Sequence, residues 1–318
     1  MGSGGNRPWW PDATPRRLGP YGRARQRLRS PAARRLRLLV AWLLLGAVAL
    51  VALGAAVLFV SRTYSLGDAT YPAGVRGVEL DADGAGEIAA VESDRADVLV
   101  LWQRRYSLLR PRVERGLAAG TVRVHASCPA FSFRCAVILG AQVPKGTALA
   151  IRTRTAPASV AASTGPVELS SGSGAVEVRQ ASGPVRFDSA SGRVSVLDLH
   201  GDLTGRSGAG QVLLQDVSGR VDVTTGSGAV TADGQVAPVF TVRSGSGWVT
   251  AAFAAPPGRV DVRSGSGAVT LTLPRGRYRF DLRAGAGRVH VDPGVVDDPA
   301  AARSVHVSAG ADIVVEAR

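Results

Sequence analysis

Lysine and asparagine are almost missing from this chain: of 38 basic residues only Lys145 is a lysine, and Asn6 is the one asparagine. The second absence excludes Asn-X-Ser/Thr glycosylation beyond the first few residues. The bias itself reads as gene base composition and not as function. Cysteine is limited to Cys128 and Cys135. Their spacing is not C-x-x-C and no second pair accompanies them, which argues against a zinc or redox motif. Acidic residues are scarce at one end only. Residues 1–60 hold ten arginines and a single acid, Asp12, whereas residues 61–318 hold 28 basic and 24 acidic residues. The formal charge of +13 therefore belongs mostly to the N-terminal tail, and that tail has no helix-turn-helix, zinc or aromatic-stacking signature. Neither a nucleic-acid partner nor a cofactor is expected.

What is present begins with an uncharged run of 23 residues, Leu38 to Val60. About 20 apolar residues span a bilayer as a helix, because lipid offers the backbone no other hydrogen-bond partners. Arg29, Arg34, Arg35 and Arg37 close a basic stretch before the run, and only Arg62 follows it closely. The positive-inside rule then places residues 1–37 in the cytoplasm and residues 61–318 outside, in a protein that crosses the cell membrane once. The tail mixes Gly, Pro and Arg and has no apolar period, so it is expected to be disordered. Its arginines set the orientation and also suit anionic headgroups. A cleaved signal peptide is the rival reading; its apolar core would be shorter, and VSRTYS is a poor cleavage site.

Residues 61–84, rich in Gly, Asp and Thr, read as a stalk, and residues 85–164 as a leading β-rich region. DVLVLWQRRYSL from Asp97 is β-like, and TVRVHAS at 121–127 alternates as a half-buried strand does. Cys128 and Cys135 follow. Outside the membrane an oxidising compartment lets two such cysteines pair, so a disulfide closing a short loop is expected.

The most specific feature starts at Gly165. Glycines recur at every ninth residue: Gly165, Gly174, Gly183, Gly192, Gly201, Gly210, Gly219 and Gly228. Two residues after each stands an apolar residue, from Val167 to Val230, and two further on another, with Gly205 as the exception. Polar residues separate the two, except at Leu213. Apolar, polar, apolar is the period of a strand with one buried face. The glycine is expected to make the turn because it tolerates positive φ. A period of 18 overlays the period of nine: corners such as Ser171-Gly172-Ser173 alternate with corners marked by an apolar residue, Ala181, Leu199 or Val217. Past one inserted residue near Val239 the tight turn returns before Gly247, Gly267 and Gly287. The whole of 165–318 is an internal repeat.

The expected fold is an all-β solenoid with about 18–20 residues per coil, each coil burying its apolar face against its neighbours. An antiparallel meander or sandwich is the alternative. Register separates them: a solenoid brings residues 18 apart together, so that Glu168 lies beside Arg186 and Asp188 beside Arg206. The S-G-S-G-x-V and x-S-G-x-V units, with the Trp102–Pro111 stretch, the two cysteines and AQVPKGTALAIRT, resemble a bacterial family of β-strand-repeat domains of unknown function. Its members are labelled candidate adhesins, or toastrack-like. The resemblance covers roughly residues 75–318. It implies a fold and supplies no catalytic residues.

The sequence singles out no catalytic, metal-binding or cofactor-binding residue. Calcium-binding rolls carry Asp carboxylates at their turns, where this chain has Ser, Thr and Ala. His290 and His306 sit in Val-His-Val triplets and read as outward-facing surface residues; no ligand spacing links them to His125 or His200. A solenoid acting on polysaccharide would stack carboxylates on one face, and the ladders read from 168 to 233 place no two carboxylates side by side. The reading is a non-enzymatic, adhesin-like display or binding surface of the cell envelope, with a wall glycan or an envelope protein as partner. An ectodomain that senses envelope stress, and a polysaccharide-acting enzyme, are the alternatives.

Overall fold

The computed structural model describes residues 31–60, 63–107, 109–129 and 135–318. The chain divides into two units, Met1–Ser61 and Arg62–Arg318. The first contains one helix, Pro31–Val60. Proline suits its first turn, where the missing N–H would have had no intrahelical partner. The helix takes in Arg34, Arg35 and Arg37, which the sequence had suggested belong to a disordered tail; Arg29 and the rest of that tail lie outside the described residues. The described apolar side chains, from Val40 to Leu53, are exposed. Among the described residues no helix is long and apolar enough to cross a membrane.

The second unit is all-β. Its described residues form 26 strands in two 13-stranded sheets, mostly parallel. Each coil gives one strand to each sheet. Val176–Ala181, Val194–Leu199, Val212–Val217 and Val230–Gln235 run together in the first sheet. Val167–Ser171, Val185–Ser189, Leu203–Ser207 and Val221–Thr225 run together in the second. Neighbouring strands are 18 residues apart, with Glu168 opposite Arg186 and Asp188 opposite Arg206. This solenoid-like register overturns the meander for the repeats, since a meander would pair sequential strands antiparallel. The inserted residue appears as an offset of 19, Val221 opposite Phe240 and Val230 opposite Val249.

Two boundaries of the sequence reading change. Residues 61–84 are not a stalk: Thr63–Tyr71 and Gly77–Ala82 are strands of the two sheets. The repeat begins before Gly165, because Ala148–Thr153 and Ala158–Ala161 already pair with Val167–Ser171 and Val176–Ala181. Antiparallel pairing does occur, confined among the described strands to the N-terminal end. There Val98–Tyr106 joins Thr63–Tyr71 and Ala136–Val143, and Arg112–Ala118 joins Thr121–Ser127.

Both ends of the stack depart from chain order. The coil 77–92 lies between 121–143 and 148–161. At the other end the last coil, 304–317, lies between 259–273 and 276–291. Gly287 accordingly packs on Ala311 and not on Gly267.

Positive φ is not what the repeat glycines supply. A Cβ on Gly210 would sit 1.9 Å from the carbonyl oxygen of Gly192, one coil below. Backbone meets backbone at that corner, so a side chain has no room. Five left-handed residues form a different column, Ala162, Gln180, Asp198, Asp216 and Gly234, with φ between 53° and 66°. Each of the middle three directly precedes an inward Ala181, Leu199 or Val217. The reversal sets two outward residues in succession before the apolar one turns back to the core, as a bulge does. Non-glycine residues there carry roughly 1–2 kcal/mol of backbone strain each, offset by the burial that follows. At the tight corners the first serine is structural: Ser171, Ser189, Ser207 and Ser244 are buried and donate to the carbonyls of Gly174, Gly192, Gly210 and Gly247 at 2.6, 3.0, 2.9 and 3.0 Å. Buried hydroxyls need such partners.

Candidate binding surface

The outward positions of each strand form straight rows along the stack, because side chains alternate between faces and neighbours pair in register. On the second sheet the rows are charged. Near one end a groove of about 440 Å³ runs beside Glu79, Ala150, Glu168, Arg186 and Thr204, floored partly by Pro166 and Pro184. Near the other end a groove of about 550 Å³ is lined by Arg259, Asp261, Arg263, Asp281, Arg283 and His306. There the inserted last coil sets His306 between Asp261 and Asp281. The ladders read from 168 to 233 stop short of this row, and nothing local to 304–309 says that it enters between 261 and 281.

The carboxylates of this groove are engaged by arginines. Arg263 Nε lies 3.2 Å from Asp261 Oδ1 and Arg283 lies 3.0 Å from Asp281 Oδ2, while His306 Nδ1 stands 3.6 Å from the same Asp281 oxygen. His125 meets Asp81 at 3.2 Å and Asp83 at 4.0 Å, and His200 meets Asp198 at 3.2 Å. Among the described residues no three His, Cys, Asp or Glu side chains gather as a metal site. The lone lysine, Lys145, donates to Asp94 at 2.7 Å; this bond holds the Asp94 carboxyl below its ordinary range and raises the lysine.

The first sheet presents hydroxyls instead. Thr231, Thr250 and Thr270 stand opposite one another on three successive strands, with Ala252 opposite Thr272 in the next row. Trp248 precedes Thr250 by two residues and so shares its outward face. It is 59% exposed. Its neighbours in the stack are small, since the amide of Val230 donates to the carbonyl of Trp248 and that of Val249 to the carbonyl of Ala268. In the β unit the other tryptophan, Trp102, is buried.

Cys128 and Cys135 form the expected disulfide, with Cα atoms 5.9 Å apart. Gly84 packs against Cys128 Sγ, which ties the bridge to the inserted coil 77–92. The loop is short, so opening it is expected to lower stability by about 2–3 kcal/mol. Denaturant titration of the reduced and alkylated chain measures this; an unchanged midpoint contradicts it.

No family model matches the chain, and no curated protein sequence matches it. Among solved structures it is similar to a candidate cell adhesion protein from Clostridium sporogenes, at 10% identity over 81% of this chain and 100% of that one, with a TM-score of 0.22. It is also similar to a candidate adhesin from Bacteroides fragilis, at 11% identity over 80% of this chain and 98% of that one, with a TM-score of 0.31.

Proposed function

We propose that this protein is anchored in the cell membrane by residues 38–60, with its N-terminus cytoplasmic, and presents its β unit outside as an adhesin-like, non-enzymatic binding surface for a wall glycan. The observation that carries the reading is Trp248, exposed on the outward face beside the threonine row 231, 250 and 270. An exposed indole offers a flat apolar face with a polar N–H at its edge, which a ligand can cover. A sugar ring offers C–H edges to such a face, and its hydroxyls exchange hydrogen bonds with threonine hydroxyls, which both donate and accept. Strand spacing of about 4.8 Å repeats those hydroxyls regularly along the stack, a pattern suited to a polymer.

Anchoring is supported by the 23-residue uncharged run, Leu38 to Val60, and by the exposed apolar side chains of the helix. A helix apolar all round is stable where an apolar medium covers it. A disulfide fits an oxidising compartment. The non-enzymatic reading is supported by the arginines on Asp261 and Asp281, which leave neither carboxylate of that groove free for the acid–base pair glycoside cleavage uses.

The test is binding of the full chain to purified wall polysaccharide. Trp248→Ala is expected to weaken it about tenfold, near 1.4 kcal/mol, with unchanged thermal stability because the side chain is exposed. Equal binding by the variant refutes the glycan reading.

A further inference from the structure

The N-terminal end of the stack is closed by the antiparallel strands 63–71, 98–106 and 112–118. Trp102 plugs the core there, with the Arg115 guanidinium 4.6 Å and the Arg104 guanidinium 5.9 Å from its ring. Arg105, Arg110 and Arg112 are exposed nearby in sequence. Among the described residues none of these five arginines has a carboxylate partner; Arg152, Arg186 and Arg206 further along also have none but stand one to a strand, while Arg123, Arg243 and Arg263 are paired. Arg104 Nε is buried without any hydrogen-bond partner. Burial, joined by the charges of Arg110 and Arg115, pushes the Arg104 guanidinium below its ordinary value. Positive charge is thus crowded here: five arginines face two acidic residues on the cap strands, Asp68 and Glu114, neither of which is in an ion pair among the described residues.

The same end gathers exposed apolar side chains: Tyr64, Leu66, Leu101, Leu109 and Leu117 are between 42% and 79% exposed. Unpaired arginines interleaved with exposed Leu and Tyr form the composition of a membrane-interface surface, where guanidinium groups meet phosphate and apolar side chains enter the headgroup boundary. Arginine forks match phosphate oxygens in pairs. Thr63, where the cap begins, follows the end of the apolar run by three residues.

We infer that this cap is a docking surface for anionic phospholipid headgroups, and that it seats the β unit on the outer leaflet. The inference rests on the membrane-anchored reading above. Vesicle association alone does not test it, because the ten arginines of residues 1–60 also attract anionic lipid.

The experiment uses the full chain reconstituted into vesicles of phosphatidylcholine alone or of phosphatidylcholine with phosphatidylglycerol, and reads two quantities. Resistance to alkaline carbonate extraction reports anchoring. Amide exchange over 63–71 and 98–118 reports docking. Exchange there is expected to slow about tenfold in the anionic vesicles relative to the neutral ones, and the slowing is expected to vanish in Arg105→Glu/Arg110→Glu/Arg112→Glu. Exchange over 167–225 serves as the folding control for that variant. Carbonate resistance with equal exchange in both lipids overturns docking and leaves anchoring standing. Carbonate release with anionic-specific protection removes the anchor and retains the cap as a lipid site. Protection that survives the triple substitution also overturns the inference.

Discussion

Gly205→Leu is expected to lower stability by about 3 kcal/mol or more, although it places an apolar residue where the other seven of the eight repeat units already carry one. The reason is Phe187, directly opposite it in the second sheet. A Cβ on Gly205 would lie 2.0 Å from the Phe187 ring carbon Cζ. One aromatic ring fills the volume that two aliphatic side chains fill elsewhere in the column. Phe187→Leu alone is expected to cost about 1–3 kcal/mol through the cavity it leaves. Together the two substitutions restore the usual pairing of one branched aliphatic on each coil. The double variant is therefore expected to be more stable than Gly205→Leu alone, with a coupling of roughly 1–3 kcal/mol. Denaturant titration of the three variants measures this. Simple additivity would show that the two positions do not share a cavity.

The second large effect concerns the C-terminus. Deleting residues 299–318 removes the coil that hydrogen-bonds on both sides, to 259–273 and to 276–291. It also removes Val305, Val307, Ile313 and Val315, all buried. At about 1.5–3 kcal/mol for each large aliphatic buried, the loss exceeds what the end of a repeat stack holds. Residues 276–297 are expected to lose their amide protection altogether, while 167–225 stay protected because coils interact only with neighbours. The opposite result is clear-cut. If 276–291 slides down to pair directly with 259–273, its protection survives and the interleaved coil is dispensable.

The middle of the stack was legible because burial and chain order agree there. Val167, Val185 and Val221, with Leu203, announce one inward column, and the period of 18 fixes which strands meet. The ends were not legible, because they break that agreement. Thr63–Tyr71 looks like a stalk since an edge strand buries little; its side chains alternate between exposed and half-buried rather than fully buried. Residues 276–291 carry the same turn signature as the coil before them, so periodicity predicts direct stacking and hides the slot that 304–317 occupies. The Asp261, His306 and Asp281 row lies beyond the ladders read from 168 to 233, and its order depends on that slot. The left-handed column at Gln180, Asp198 and Asp216 had no glycine to mark it, and the glycines that were marked serve backbone contact instead of turning. Trp248 was visible as a letter, but its exposure depends on Ala229 and Ala268 in the neighbouring coils.

The interleaved ends bear on how the chain completes itself during synthesis and export. A stack in chain order grows as it emerges, each coil closing on the one before. Here the middle can grow in that way, from 148 to 273, but neither end can. The coil 77–92 waits for 121–161 to arrive on both of its sides. Residues 276–291 emerge before the coil that separates them from the body, and hold no permanent neighbour until 304–317 enters. Closure at the distal end is thus tied to residues 304–317, which are made after the coil they hold in place. A chain that lacks 304–317 leaves the edges of 259–273 unpaired, an open, hydrogen-bond-hungry edge of the kind that pairs with other chains.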